Sequence, residues 1–65
     1  MTKEEAIVQM KAGNKLTHTY FTPDEWVTIL NDKYHFEDGV ECSFEEFWSH
    51  RMGPAWFFGW EIYKD

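Results

Sequence analysis

The stretch Trp26-Val27-Thr28-Ile29-Leu30-Asn31-Asp32-Lys33-Tyr34-His35-Phe36 decides the fold. Its first five residues are rich in β-branched and aromatic side chains, which favour extended backbone. With period two, Trp26, Thr28 and Leu30 fall on one face and Val27 and Ile29 on the other. Asn31-Asp32-Lys33 has turn composition, and Tyr34-His35-Phe36 reads as the returning strand of a hairpin. A helix through Asp24–Asn31 is the competing assignment. The hairpin reading places a sheet at the centre of the domain.

Working outward, Asp38-Gly39 marks the next reversal. Ser43 and Glu46 then stand in the S-x-x-E spacing of a capping box, where each side chain satisfies an otherwise unpaired backbone N–H. Phe44, Phe47 and Trp48 follow at helical spacing, with Arg51 completing that face, and Gly53-Pro54 ends the helix. Ala55 to Phe58 reads as irregular or one tight turn. Gly59 to Tyr63 alternates as a closing strand, Trp60 and Ile62 inward. On the other side, Thr2 and Glu5 repeat the capping box and open a helix with Ala6, Ile7 and Met10 on one face. Gly13 suits its left-handed stop. Lys15 to Phe21 alternates as a strand, and Thr22-Pro23-Asp24-Glu25 punctuates it. The order α-β-β-β-α-β predicts a single α+β domain over 1–65. Two short helices cover an antiparallel sheet of about four strands.

Such a chain is small. At 65 residues it buries roughly 60% of the surface its unfolded form exposes. Chains of this size usually need disulfides, a metal, self-association or dense packing. Cys42 is the one cysteine, so no disulfide forms within the chain, and a lone thiol points to a reducing cytoplasm. The start MTKEEAIVQM lacks the basic-then-apolar pattern of a signal peptide, and the longest apolar run, Ala55–Phe58, is far too short to span a bilayer. The formal charge is −6. Residues 1–22 are slightly basic, and the acids concentrate in 23–65. A body of this sign repels phosphate backbones, which disfavours nucleic acid, and complements a basic surface on another protein.

Catalytic and metal signals are weak. His18, His35, His50 and Cys42 make no C-x-x-C or H-x-x-x-H pair, the spacing zinc sites usually need. Cys42 lies beside Glu41, Glu45 and Glu46, which oppose a thiolate. Glu37-Asp38 and Glu45-Glu46 are sequence neighbours that do not converge on one site. Neither enzyme chemistry nor a cofactor is expected.

The aromatic content is the informative feature. Thirteen of the 65 residues are Phe, Trp or Tyr. Phe36, Phe47, Trp48, Trp60 and Ile62 are core candidates. Several of Tyr20, Phe21, Trp26, Tyr34, Phe44, Trp56, Phe57, Phe58 and Tyr63 must then stay partly exposed. Trp56-Phe57-Phe58 cannot all face one core from a regular element. With Pro54 and Trp60 this segment is expected to form a homodimer or target-binding surface. The candidate partner- or ligand-binding residues are Tyr20, Phe21, Trp26, Arg51, Trp56, Phe57 and Phe58.

The segment Glu5-Ala6-Ile7-Val8-Gln9-Met10-Lys11-Ala12-Gly13-Asn14-Lys15-Leu16-Thr17 and the ending Gly59-Trp60-Glu61-Ile62 resemble the opening and closing motifs of small phage and prophage proteins. That group includes phage proteins that counter the Thoeris defence system by sequestering its cyclic-nucleotide signal. The resemblance implies a phage-encoded accessory protein in the bacterial cytoplasm. Two functions follow as expectations. In one, the chain inhibits a host defence protein through acidic and aromatic surface. In the other, an oligomer sequesters a nucleotide-like signal, and symmetry must then gather its few cations at the phosphates.

Overall fold

The computed structural model describes residues 1–64. Helix α1 (Lys3–Lys11) leads into β1 (Leu16–His18), β2 (Val27–Leu30), β3 (Lys33–Phe36) and β4 (Glu41–Cys42). Helix α2 (Phe44–Ser49), a single 3₁₀ turn at Pro54–Trp56 and β5 (Trp60–Ile62) complete the chain. The sheet is antiparallel throughout, in the order β4-β3-β2-β1-β5. The chain is therefore the expected α+β domain, with one strand more than the sequence indicates.

The hairpin prevails over the competing helix because its turn chemistry is right. Asn31 and Asp32 both take positive φ, 53° and 62°, the conformation of a two-residue turn that matches strand twist. Lys33 is already in β3, opposite Leu30. Strand β4 escaped sequence reading because two residues show no alternation. It forms because Phe36 and Val40 pair across the Asp38-Gly39 turn and bring Cys42 opposite Tyr34.

Helix α1 is closed at both ends by its own sequence. Thr2 Oγ1 accepts the Glu5 N–H, and Glu5 accepts the Thr2 N–H at 2.8 Å, which holds that carboxyl below the usual range. At the other end Gly13 takes φ 96°, and the N–H groups of Gly13 and Asn14 reach the carbonyls of Met10 and Gln9, a Schellman stop.

Directly opposed residues share a sheet face. The register thus puts Leu16, Val27, Phe36 and Ile62 in one row, Ile29, Tyr34 and Cys42 in a second, and His18 with Trp60 in a third. Both helices cover this face, supplying Ala6, Met10 and Phe47 to the core. Trp60, Phe47 and Tyr34 are its largest fully buried side chains. Burial pushes the Tyr34 hydroxyl up to about 12, against a hydrogen bond of 2.8 Å donated by the Trp48 indole.

Three core candidates are less buried than expected, and one further ring is fully buried. Ile62 faces the right way but sits on an edge strand and is 38% exposed. Phe36 and Trp48 are only partly buried, packed at the margin of the core. Tyr34, grouped in the sequence with rings that could be exposed, is fully buried.

Two element boundaries also move. Strand β1 stops at His18 rather than running to Phe21, because the Phe21 N–H turns back to the His18 carbonyl and the Tyr20 N–H bonds to the His18 ring. Helix α2 stops at Ser49, ahead of Gly53-Pro54. There Arg51 has swung inward: its Nη1 takes the Phe47 carbonyl that the Arg51 N–H would fill in a longer helix, and that N–H bonds Trp48 instead.

Candidate functional site

The backbone from Ala55 through Gly59 is held by hydrogen bonds from outside itself. All five carbonyls from Ala55 to Gly59 accept a hydrogen bond from another element or from β5. His18 Nε2 donates to Phe58 at 2.7 Å and to Ala55 at 3.2 Å. The Trp60 indole donates to Trp56 at 2.9 Å. The Lys3 N–H donates to Phe57 at 2.9 Å, and the Thr19 N–H to Gly59 at 3.1 Å. These bonds hold the backbone in place, and on it the rings of Phe57 and Phe58 face outward, 46% and 65% exposed.

His18 organises this segment. A backbone N–H can only donate, so the Nδ1 that receives the Tyr20 N–H at 3.0 Å carries no proton. Carbonyls can only accept, so Nε2 carries it. The buried ring is thus a neutral Nε2–H tautomer, stacked on Trp56 at 4.2 Å between centroids. Long-range ¹⁵N–¹H correlation at neutral pH is expected to show this tautomer. An Nδ1–H pattern would contradict the arrangement.

Arg51 is the second organiser. Its guanidinium lies 4.2 Å from the Phe47 ring centroid, 5.4 Å from Trp56, 5.9 Å from Phe36 and 6.0 Å from Phe21. Among the described residues no carboxylate lies within ion-pair distance, and its buried Nε has no hydrogen-bond partner. Burial lowers its pKa, while Cys42 and Glu25 act in the opposite sense. Ring faces take the place of a counter-ion here, an arrangement favourable to arginine because its planar cation is weakly hydrated.

Six of the seven predicted site residues therefore meet at one end of the molecule. Phe21 and Trp56 are partly buried beside Arg51, Tyr20 stands edge-on to Trp56 at 5.3 Å, and Phe57 and Phe58 form the exposed rim with Met52, which is 77% exposed. Trp26 does not join them. It packs under Lys15, 4.5 Å from its ring, and near Tyr63. Trp60 is buried, as its place among the core candidates requires, and anchors this segment from inside instead of adding to its surface. The sequence pattern missed His18, Lys3 and Met52. A lone histidine in a strand and a lysine 45 residues before Trp48 carry no local signal: His18 reaches the segment through the pairing of β1 with β5, and Lys3 through the approach of α1 to Trp48 of α2.

Between those helices lies an open groove of about 370 Å³, lined by Lys3, Trp48, Ser49, Arg51, Met52 and Phe57. A second hollow of about 590 Å³ follows β5, where the Met1 ammonium caps the Trp60 carbonyl at 2.8 Å. Among the described residues no three His, Cys, Asp or Glu side chains converge as a metal site, and no helix is long and apolar enough to cross a membrane. Comparison with known proteins finds no matching family model, curated protein or solved structure.

Proposed function

We propose that this chain is a phage- or prophage-encoded binding protein that inhibits a bacterial host protein, a defence component, without chemistry of its own. The observation that carries the reading is the inward bonding of the Ala55–Gly59 carbonyls, which presents Phe57 and Phe58 outward on a fixed backbone. Large rings held in place lose little conformational freedom on binding, which is why they serve as interface anchors. The acidic body keeps so apolar a rim dispersed until the partner covers it.

The test compares the wild-type chain with F57A/F58A as bait in bacterial lysate. The wild type is expected to retain one partner in defined stoichiometry. The double variant is expected to lose it at least tenfold, the scale of a hot spot, with little change in Tm because both rings are exposed. Equal capture by both proteins would remove the rim from the function.

A second reading is favoured by the placement of Lys3 and Arg51 on one groove. These are cations that a sequestering protein for a nucleotide-like signal needs, present here within a single copy. Mass spectrometry of the small molecules released on denaturing the purified protein separates this reading from the first. Light scattering shows whether the rim is covered by a second copy.

A further inference from the structure

In a chain of net charge −6, the groove between α1 and α2 has two cations and no acid among its lining residues. The Lys3 ammonium rests 4.2 Å from the Trp48 ring centroid, and the Arg51 guanidinium rests on Phe47. Neither is within ion-pair distance of a carboxylate among the described residues. Arg51 donates one Nη1–H to the Phe47 carbonyl at 3.0 Å. A ring face attracts a cation without consuming its N–H donors, so both groups can still bond an incoming anion. Trp48, Met52 and Phe57 complete the wall with apolar surface, continuous with the exposed rim. The volume lies at the small end of the range for sites that hold a compact ligand group.

We propose that this groove receives an acidic side chain and an adjoining large apolar side chain from the protein partner. The proposal rests on the protein-binding reading above and gives the partner's contact segment its chemistry. The overall acidity of the chain suggests a basic partner surface, but the local charge of the aromatic end selects a carboxylate there. Electrostatic complementarity acts on the groups in contact, and the cations sit where the rim makes contact.

The experiment titrates the isotopically labelled full chain with three capped tripeptides, acetyl-Leu-Glu-Phe-amide and its Gln and Lys counterparts, and with AMP. The resonances followed are the Trp48 indole N–H, the Arg51 Nε–H and the Ser49–Met52 amides. The Glu peptide is expected to give saturable shifts of these signals. The Gln peptide is expected to bind at least tenfold more weakly, the discrimination of one charge-assisted pair, and the Lys peptide not to bind. R51Q is expected to abolish the shifts. Because Arg51 also packs among rings, K3Q, a surface change, is the second variant, and it is expected to weaken the Glu peptide several-fold with the fold intact.

Equal binding of the Glu and Gln peptides overturns the proposal, as does the lack of any saturable shift up to about 10 mM, beyond which affinity is negligible. Tighter binding of AMP than of the Glu peptide also overturns it, assigning the groove to a free anionic ligand. If lysate capture depends on Phe57 and Phe58 while no peptide fills the groove, this assignment fails and the binding function stands. If the Glu peptide fills the groove and capture does not depend on the rim, the binding function fails and the groove's chemistry stands.

Discussion

Trp60→Ala is expected to leave little folded protein at 25 °C. The side chain is fully buried, and it touches the middle of the aromatic core: His18 at 4.7 Å between centroids, Phe21 and Trp48 at 5.8 Å, and Trp56 at 6.0 Å. Truncating a buried tryptophan to alanine costs about 3–5 kcal/mol. A chain of this length has roughly 3–10 kcal/mol in total. The loss is therefore comparable to the whole stability. A second term adds to it, because the Trp56 carbonyl loses the indole donor at 2.9 Å. Urea unfolding followed by far-ultraviolet circular dichroism measures the effect. Trp60→Phe separates the terms, since it restores most of the volume and none of the hydrogen bond, and it is expected to cost about half as much. A W60A chain with a wild-type midpoint would show that the core does not depend on this ring.

Gly59→Ala is the second large effect, and it has two independent causes. The backbone there is left-handed, with φ 86°, which costs a side chain about 1–2 kcal/mol. An added Cβ would also lie 2.8 Å from Thr19 Oγ1 and 3.1 Å from His18 Nε2. The histidine cannot yield, because that nitrogen is bonded to two carbonyls and its ring is stacked on Trp56. Overpacking of this kind adds about 1–3 kcal/mol. Gly13→Ala is the matched control. Its φ is 96°, yet nothing lies within 4 Å of the added Cβ, so it reports the backbone cost alone. The midpoint of G59A is expected to fall well below that of G13A. Equal midpoints would show that the Thr19 and His18 contacts can relax. G59A is also expected to weaken partner capture, because Phe57 and Phe58 are positioned by the bonds it disturbs.

Much of the local structure could be read from residues close together in the chain. Thr2 with Glu5, Ser43 with Glu46, and Gly13 each act within about one turn of backbone. The box at Thr2 closes in full, whereas at Ser43 only the serine half forms: its Oγ accepts the Glu46 N–H, and the Glu46 carboxylate takes the serine hydroxyl instead of the Ser43 N–H. The Val27–Leu30 hairpin was readable for the same reason, since alternation and turn chemistry are short-range properties. Strand β4 was not, because two residues hold no period. The burial of Tyr34 and the exposure of Ile62 were not readable either. Both residues face the helices, and what separates them is their place in the strand order, Tyr34 within the sheet and Ile62 on its edge.

The candidate site divides along the same line. That Trp56-Phe57-Phe58 could not all be buried followed from the sequence alone, since no regular element points three successive rings the same way. Which rings stay out was decided by tertiary hydrogen bonds from His18, Lys3, Thr19 and Trp60, up to 54 residues away in the chain. Trp26 was grouped with the others by type and separated from them by the sheet. The sequence by itself determined the helix ends, the central hairpin, the aromatic surplus and the acidic balance, because each is set by neighbours or by composition. Only the tertiary structure placed Lys3 and Arg51 at the same end as Tyr20, Phe21, Trp56, Phe57 and Phe58, because the pairing of β1 with β5 and the approach of α1 to Trp48 join groups that no sequence spacing relates.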